Sequence, residues 1–223
     1  MKLIKWKIHA ENRYIHLLIT LIVIFILTPY VGEMHLNFPI ISLIFLIAII
    51  FILRTLELDK KLFFLLAAVG SLIFFSEFLT TMCTTVACRQ DLSLVSWSIY
   101  AVFLAIAIFI MAYKIFSSSK ITGDTIMGGI SIYLLLGYFW TILYYLIYRF
   151  DINAFSSPDR MSHAYLFYFS FTTLTTLGYG DAYPVNKLAM ILTSLEAMAG
   201  QVYLAVFVAR LVGLHIIKHS AQK

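Results

Sequence analysis

With 223 residues, 62% of them hydrophobic and 12% charged, the chain is too apolar for an ordinary soluble protein. Soluble domains carry about 25% charged residues, so most of this surface must face lipid rather than water. The net charge of +5 does not indicate nucleic-acid binding, because the basic residues are scattered and flank apolar runs.

Six runs of the chain are apolar over about the length that a helix needs to cross a bilayer, roughly 20 residues. We expect the first to be retained, since no small-residue cleavage site for a signal peptidase follows it. The pattern predicts an all-α membrane protein with six transmembrane helices. In chain order, the runs are residues 14–30, 38–53, 62–82, 92–113, 125–148 and 187–214.

The basic residues are distributed unequally between the two sides of the membrane. With the N-terminus inside, twelve Lys and Arg residues fall on the cytoplasmic side and four on the outer side. Cytoplasmic loops carry the excess of Lys and Arg in membrane proteins. We therefore predict a multi-pass protein of the plasma or inner membrane with both termini in the cytoplasm.

A polar, Ser-rich segment at 117–124 indicates a linker between two parts of the chain. Residues 1–116 before it are predicted to form a front domain of four transmembrane helices. Residues 125–223 after it are predicted to form a pore domain, with an outer helix at 125–148 and an inner helix at 187–214.

The fourth span, residues 92–113, contains no Lys or Arg, and Lys114 is the first base after it. Moving one charge through 100 mV provides about 2.3 kcal/mol, so an uncharged helix has almost nothing to couple to the field. The front domain is therefore not a conventional voltage sensor, and we predict a voltage-independent protein.

Several polar residues allow two interpretations each. Glu77 in the third span is either a proton- or ion-sensitive site or a neutral, hydrogen-bonded acid. Cys83 and Cys88 lie in a predicted outer loop, where they form a disulfide or remain free thiols. His215 and His219 have an i,i+4 spacing that can bind a metal. Because the sequence offers no third ligand, the alternative is two solvated histidines at a helix end.

The stretch 162–176 between the last two spans is apolar but too short to cross the membrane and return as a helix. It predicts a re-entrant pore helix at 162–175, followed by the sequence Leu177-Gly178-Tyr179-Gly180-Asp181. Non-helical backbone at membrane depth is tolerated only where it is buried in protein or lines a wet path. Because glycine takes positive φ readily, Gly178 and Gly180 allow successive carbonyls to point the same way. Four copies around an axis would then stack rings of oxygens that replace the water shell of a potassium ion.

Residues 172–181, TTLTTLGYGD, resemble the Thr-x-x-Thr-x-Gly-Tyr-Gly-Asp signature of the potassium-channel superfamily, with Leu177 where the family usually has Val or Ile. The resemblance is specific over about 121–215 and implies a six-transmembrane, prokaryotic-type homotetramer. It implies a selectivity filter at 176–181, in which Thr176, Leu177, Gly178 and Tyr179 bind potassium and Gly180 completes the filter. Potassium would be the permeant ion, and no cofactor is implied. Asp181 would form a ring of carboxylates at the outer mouth that concentrates cations.

Four residues are predicted to support this filter, two of them with alternatives. The macrodipole of the pore helix would favour a cation at its C-terminal end. Tyr168 either hydrogen-bonds near Asp181 or only packs. Glu196, an acid within the last span, either braces the pore helix or is tied to a neighbour without a role in conduction. Thr172 stands where some relatives have a glutamate, so no carboxylate pair lies behind the filter, and Thr175 ends the helix.

The inner helix is predicted to carry the cavity and the gate. Gly200 matches the flexible glycine of many inner helices by its distance from the filter, or it is a small residue for close packing. Gln201, Leu204, Val208 and Val212 share one helical face, which we expect to line the pore. A constriction at Val208 and Val212 could gate by dewetting.

The composition and motifs leave two rival functions. One is a subunit of a potassium transporter, although such proteins usually carry four diverged filters in one chain. The other is a non-conducting membrane sensor or scaffold. The chain has no Ser/His/Asp set, His-Glu-x-x-His motif or paired carboxylates that would favour an enzyme. The predicted partners are three further copies of the chain, membrane lipid and potassium, and no nucleic acid.

Overall fold

The structure, a computed structural model, describes residues 13–31, 47, 50, 60–82, 86–118, 121–157 and 162–220. In these residues the chain forms six helices and one pair of two-residue strands. The predicted second span, 38–53, lies outside the described ranges apart from residues 47 and 50. The predicted all-α class is confirmed for the part that is described. The helices are α1 (Arg13–Val31), α2 (Lys60–Met82), α3 (Val86–Ser117), α4 (Gly123–Phe150), α5 (His163–Leu174) and α6 (Lys187–Ser220).

Three of the described helices are long and apolar enough to cross a membrane, over Leu92–Ser117, Gly123–Phe150 and Lys187–Ile216. Helices α1 and α2 contain shorter apolar stretches, Tyr14–Tyr30 and Phe63–Ser76. The chain is accordingly a membrane protein. The count of six spans stays a prediction.

Helix α4 begins at Gly123, inside the segment predicted as a linker. The Thr122 hydroxyl caps the helix by accepting a hydrogen bond from the Thr125 N–H at 3.2 Å. Asp124 places a carboxylate in the first turn, where the helix dipole favours negative charge. Its Oδ1 also accepts the Tyr14 N–H at 2.8 Å, which ties α1 to the start of α4.

Helix α4 lies at the centre of the chain, because α1, α3, α5 and α6 all pack against it, while α2 packs against α3. The core between α1, α3 and α4 is apolar and fully closed at Leu17, Leu104, Met111 and Ile132. Helices α1 and α3 therefore pack on α4, the outer helix of the predicted pore domain.

A second, aromatic core joins the pore helix α5 to α4. Trp140, Tyr144, Leu166 and Phe169 are buried there. Beyond it, strand β1 (Phe155–Ser156) pairs antiparallel with β2 (Tyr183–Pro184), with Phe155 opposite Pro184. This pair brings the segment after α4 next to the segment before α6.

Asn186 fixes the start of α6. Its Oδ1 accepts the Ala189 N–H at 2.8 Å, as an N-cap does, and its Nδ2 donates to Asp151 Oδ2 at 2.8 Å. Since Asp151 caps the end of α4, one side chain links the ends of the two long helices that flank α5.

Candidate functional site

Helix α5, the predicted pore helix, is defined by its caps. The Ser162 hydroxyl accepts the Tyr165 N–H at 3.1 Å, and the Thr175 N–H closes the last turn on the Phe171 carbonyl at 3.1 Å. The helix thus occupies His163–Leu174, between the two ends of the predicted segment 162–175.

The backbone after this helix alternates in handedness. The φ angles of Thr176, Gly178 and Gly180 are +57°, +51° and +78°, while Leu177 and Tyr179 between them have negative φ. Reversing handedness at every second residue lets successive carbonyls face one side, whereas an ordinary strand alternates them. A β-branched residue at positive φ costs of order 1–3 kcal/mol, so the surrounding structure must hold Thr176 in place.

Hydrogen bonds from the filter backbone to the pore helix provide that hold. The N–H of Thr176 donates to Thr173 O at 2.9 Å, and the N–H groups of Leu177 and Gly178 both donate to Thr172 O, at 2.8 and 3.2 Å. Within the described part of the chain, no carbonyl from Thr176 to Gly180 accepts a hydrogen bond. The N–H groups at the start of the segment therefore bond to α5, while its carbonyl oxygens accept no hydrogen bond. Carbonyl oxygens of this kind can replace the hydration shell of an ion.

Two side chains of the predicted filter are exposed in the single chain. Leu177 and Tyr179 are 56% and 69% exposed, although both are large and apolar or aromatic. Among the described residues, no neighbour buries them.

Tyrosines of α5 hold the end of the motif. Tyr165 donates its hydroxyl to Asp181 Oδ2 at 3.2 Å, and Asp181 Oδ1 accepts the N–H of Ala182 at 3.1 Å. The Tyr168 ring stacks on Tyr179, with centroids 6.3 Å apart and an interplanar angle of 8°. The Tyr168 hydroxyl also interacts with Asp181. Tyr165 lies outside the motif, but its i,i+3 spacing from Tyr168 is the pattern that places both on one face.

Glu196 of α6 is completely buried. Its Oε2 lies 2.5 Å from the Tyr144 hydroxyl of α4, and its Oε1 lies 2.6 Å from the Ser170 hydroxyl of α5. One carboxyl group therefore joins all three helices of the pore region. Neither Tyr144 nor Ser170 stands out in the sequence, because apolar helices contain many residues of both types.

Gly200 lies against the end of the pore helix. A Cβ atom at Gly200 would overlap the Leu174 carbonyl oxygen, which belongs to backbone and cannot swing away. The same oxygen accepts the Tyr133 hydroxyl at 3.1 Å. Close helix packing thus suffices to require glycine here, and the hinge stays a prediction.

The hydroxyls of Thr172 and Thr175 bond to their own helix. Thr172 Oγ1 donates to Phe169 O at 3.0 Å, and Thr175 Oγ1 donates to Phe171 O at 2.7 Å. Both residues support the helix end through the backbone.

The predicted pore-lining residues Gln201, Leu204, Val208 and Val212 are all exposed in the single chain. On the opposite face of α6, Phe207 is buried and Tyr203 donates its hydroxyl to Gly129 O at 2.7 Å. Exposure alone does not select the predicted face, because Val202 and Val206 are exposed as well. The gate at Val208 and Val212 stays a prediction. Gln201 Nε2 reaches Thr176 Oγ1 at 3.5 Å, a long contact between the helix and the filter.

Arg210 joins α6 to the end of the front helices. Its Nη2 donates to Ser118 O at 2.5 Å, just after the last residue of α3, and its guanidinium lies 5.6 Å from the centre of the Phe116 ring. No motif marks this arginine, which in the sequence is one of several bases near the end of a span.

The remaining polar candidates lie largely outside the described side chains. This applies to Glu77, Cys83, Cys88 and His219, whereas His215 is described and exposed. In the ranges that the structure covers, no group of three or more His, Cys, Asp or Glu residues is placed to hold a metal ion.

A family model described as an ion channel matches residues 129–214. The match covers most of α4, helix α5, the alternating backbone and most of α6, so this part of the chain is similar to an ion-channel domain. Neither the curated proteins nor the solved structures gave a significant match.

Proposed function

We propose that the chain is one subunit of a homotetrameric, potassium-selective channel that conducts passively across the plasma or inner membrane. The carrying observation is the alternating backbone at 176–180, whose carbonyls accept no hydrogen bond in the described chain. The proposed topology has six spans, both termini in the cytoplasm, and the pore loop between the fifth and sixth spans.

Four copies are needed because one chain supplies only one filter strand. Assembly would also cover Leu177, Tyr179 and the apolar face of α6, which are exposed in the single chain. Identical subunits arranged around a closed ring are the common form of symmetric oligomers.

Conduction would follow from carbonyl coordination. Potassium would exchange its water for the oxygens of Thr176, Leu177, Gly178 and Tyr179, and multiple adjacent sites would let one ion displace the next. The C-terminal end of α5, next to the filter, carries roughly half a negative charge, which favours a cation there. Asp181 would raise the local cation concentration at the outer mouth.

The channel would not be gated by voltage in the conventional way. The described helix α3 contains no Lys or Arg from Leu92 to Tyr113, so the field has little charge to act on. The proposed gate is the hydrophobic constriction at Val208 and Val212.

Two rival functions make different predictions. A transporter subunit would move potassium at low rates in a coupled way, and a sensor or scaffold would move none. Purified protein in liposomes, loaded with a potassium gradient and tested with barium, separates them. We expect a fast, barium-blocked potassium flux that sodium does not support.

The filter assignment is tested by Gly178→Ala. Within the single chain an added Cβ at Gly178 would meet nothing within 4 Å, and its positive φ opposes the change. Left-handed backbone costs an L-residue roughly 1–2 kcal/mol, repeated in each subunit, and we expect loss of selectivity or conduction. Gly123→Ala is the matched control, since its Cβ is also free of contacts and its φ is ordinary. Unchanged selective flux in Gly178→Ala would refute the assignment.

A further inference from the structure

We infer that Glu196 is a neutral carboxylic acid, and that its proton forms the hydrogen bond that ties the inner helix α6 to the pore helix α5. The inference deepens the proposed function and rests on it for the effect on conduction. The chemistry of the group itself follows from the contacts around it.

Three oxygen–oxygen contacts form a chain through this carboxyl and Ser170. Tyr144 Oη lies 2.5 Å from Oε2, Ser170 Oγ lies 2.6 Å from Oε1, and Ser170 Oγ also lies 2.8 Å from the carbonyl oxygen of Gly137 in α4. Each hydroxyl has one hydrogen to donate and a carbonyl has none. Three contacts need three hydrogens, and the two hydroxyls supply two. The third comes from the carboxyl group.

A protonated Glu196 satisfies every contact in one direction. Tyr144 donates to Oε2, Oε1 donates to Ser170 Oγ, and Ser170 donates to the Gly137 carbonyl. With an ionised carboxylate, Ser170 could donate to Oε1 or to Gly137 but not to both. Two oxygens would then face each other without a hydrogen, and a buried polar contact left unmade is costly.

The surroundings of Glu196 supply no compensating charge. The titratable groups that face it are Tyr144 and Tyr133, both from α4. From α5 its partner is Ser170, and on α6 Thr193 lies near the Tyr144 hydroxyl. Among the described residues, no Lys, Arg or His pairs with this carboxyl. A buried carboxylate without a cation is expensive, and the neutral acid avoids that cost.

The proton has a mechanical consequence for the filter. Ser170 lies two residues before Thr172, whose carbonyl accepts the N–H groups of Leu177 and Gly178. Loss of the proton would break one of the two bonds of Ser170 and loosen α5 against α4 or α6. Glu196 is thus a positioning residue for the filter.

Infrared difference spectroscopy on the full-length protein in lipid tests the inference. At neutral pH the wild-type protein should show a protonated-carboxyl C=O band that disappears in Glu196→Gln. Glu77→Gln, which removes an acid of α2, should leave that band in place. In Ser170→Ala the band should persist and move to higher frequency, because the acid loses its acceptor. A difference spectrum with carboxylate bands alone would overturn the inference.

A second readout separates this inference from the proposed function. As pH rises through the point where the acid band disappears, wild-type potassium flux should fall several-fold, while Glu196→Gln should stay constant because its amide donates at any pH. Tyrosines titrate in both proteins, so the comparison isolates the carboxyl. An acid band without any potassium flux would leave the inference standing and contradict the channel. Selective flux without the band would do the reverse.

Discussion

The helices before and after residue 122 are both apolar, but they are held together in different ways. Within the pore region, side-chain hydrogen bonds cross from helix to helix, including Glu196 with its two partners, Tyr133 to Leu174 O, and Tyr203 to Gly129 O. The described core between α1, α3 and α4 is apolar. Among the described residues, Ser76 meets Ser96 at 2.6 Å between α2 and α3, and Tyr138 of α4 donates to Leu21 O in α1 at 2.9 Å. Tyr14 N–H to Asp124 and Arg210 to Ser118 O are polar contacts at the ends of the front helices.

This difference follows from what lipid can and cannot do. Between helices in a bilayer the hydrophobic effect provides little attraction, so packing and polar contacts set the arrangement. Directional bonds specify the rotation and height of each helix, whereas apolar contacts tolerate slippage. Directional bonds therefore hold α4, α5 and α6 around the segment 176–180, whereas the described core between α1, α3 and α4 relies on apolar packing.

The largest expected effect is that of Glu196→Ala, compared with Ser76→Ala. The first change leaves the Tyr144 hydroxyl without its buried acceptor, at about 1–3 kcal/mol, and removes the bond between α6 and α5, while Ser170 keeps its bond to Gly137 O. In the second, Ser96 keeps its bond to Leu92 O, so we expect a loss of about 0.5–1.5 kcal/mol. Thermal unfolding of the purified proteins measures both. Equal losses of stability in the two variants would contradict the difference drawn between the two regions.

Next in size is Gly200→Ala, with Gly213→Ala on the same helix as its control. The new Cβ at Gly200 would overlap the Leu174 carbonyl, and overpacking of this kind costs roughly 1–3 kcal/mol. At Gly213 a Cβ meets nothing within 4 Å. We expect reduced stability and potassium flux in the first variant alone. If Gly200→Ala kept its stability but lost channel opening, the hinge interpretation would be favoured over close packing.

The sequence predicted the parts of this fold that depend on local patterns. Apolar runs predicted helices near their observed positions, and the Gly-Tyr-Gly spacing indicated where backbone would leave the helical state. Because Thr122 caps it, α4 begins at Gly123, earlier than the apolar pattern indicates. The polar segment around Thr122 does not mark it as a cap. Tyr144, Ser170 and Arg210 could not be predicted as contacts, because their partners are 52, 26 and 92 residues away in the chain.

The smallest effect is expected from removing one of two tyrosine hydroxyls, each of which donates a hydrogen bond to a helix carbonyl. Tyr203→Phe removes a 2.7 Å bond to Gly129 O between α6 and α4, and Tyr138→Phe removes a 2.9 Å bond to Leu21 O in α1. Each should cost about 0.5–1.5 kcal/mol, since a typical hydrogen bond contributes that much net stability. Stability alone therefore cannot separate them, but channel function can. Tyr203 lies on the helix that carries the proposed gate, so its loss should alter the open fraction of single channels, whereas loss of the Tyr138 hydroxyl should not. Matching changes in opening from both variants would mean that the front helices act on the gate through α4, and that the contact between α1 and α4 affects opening as much as the contact between α6 and α4.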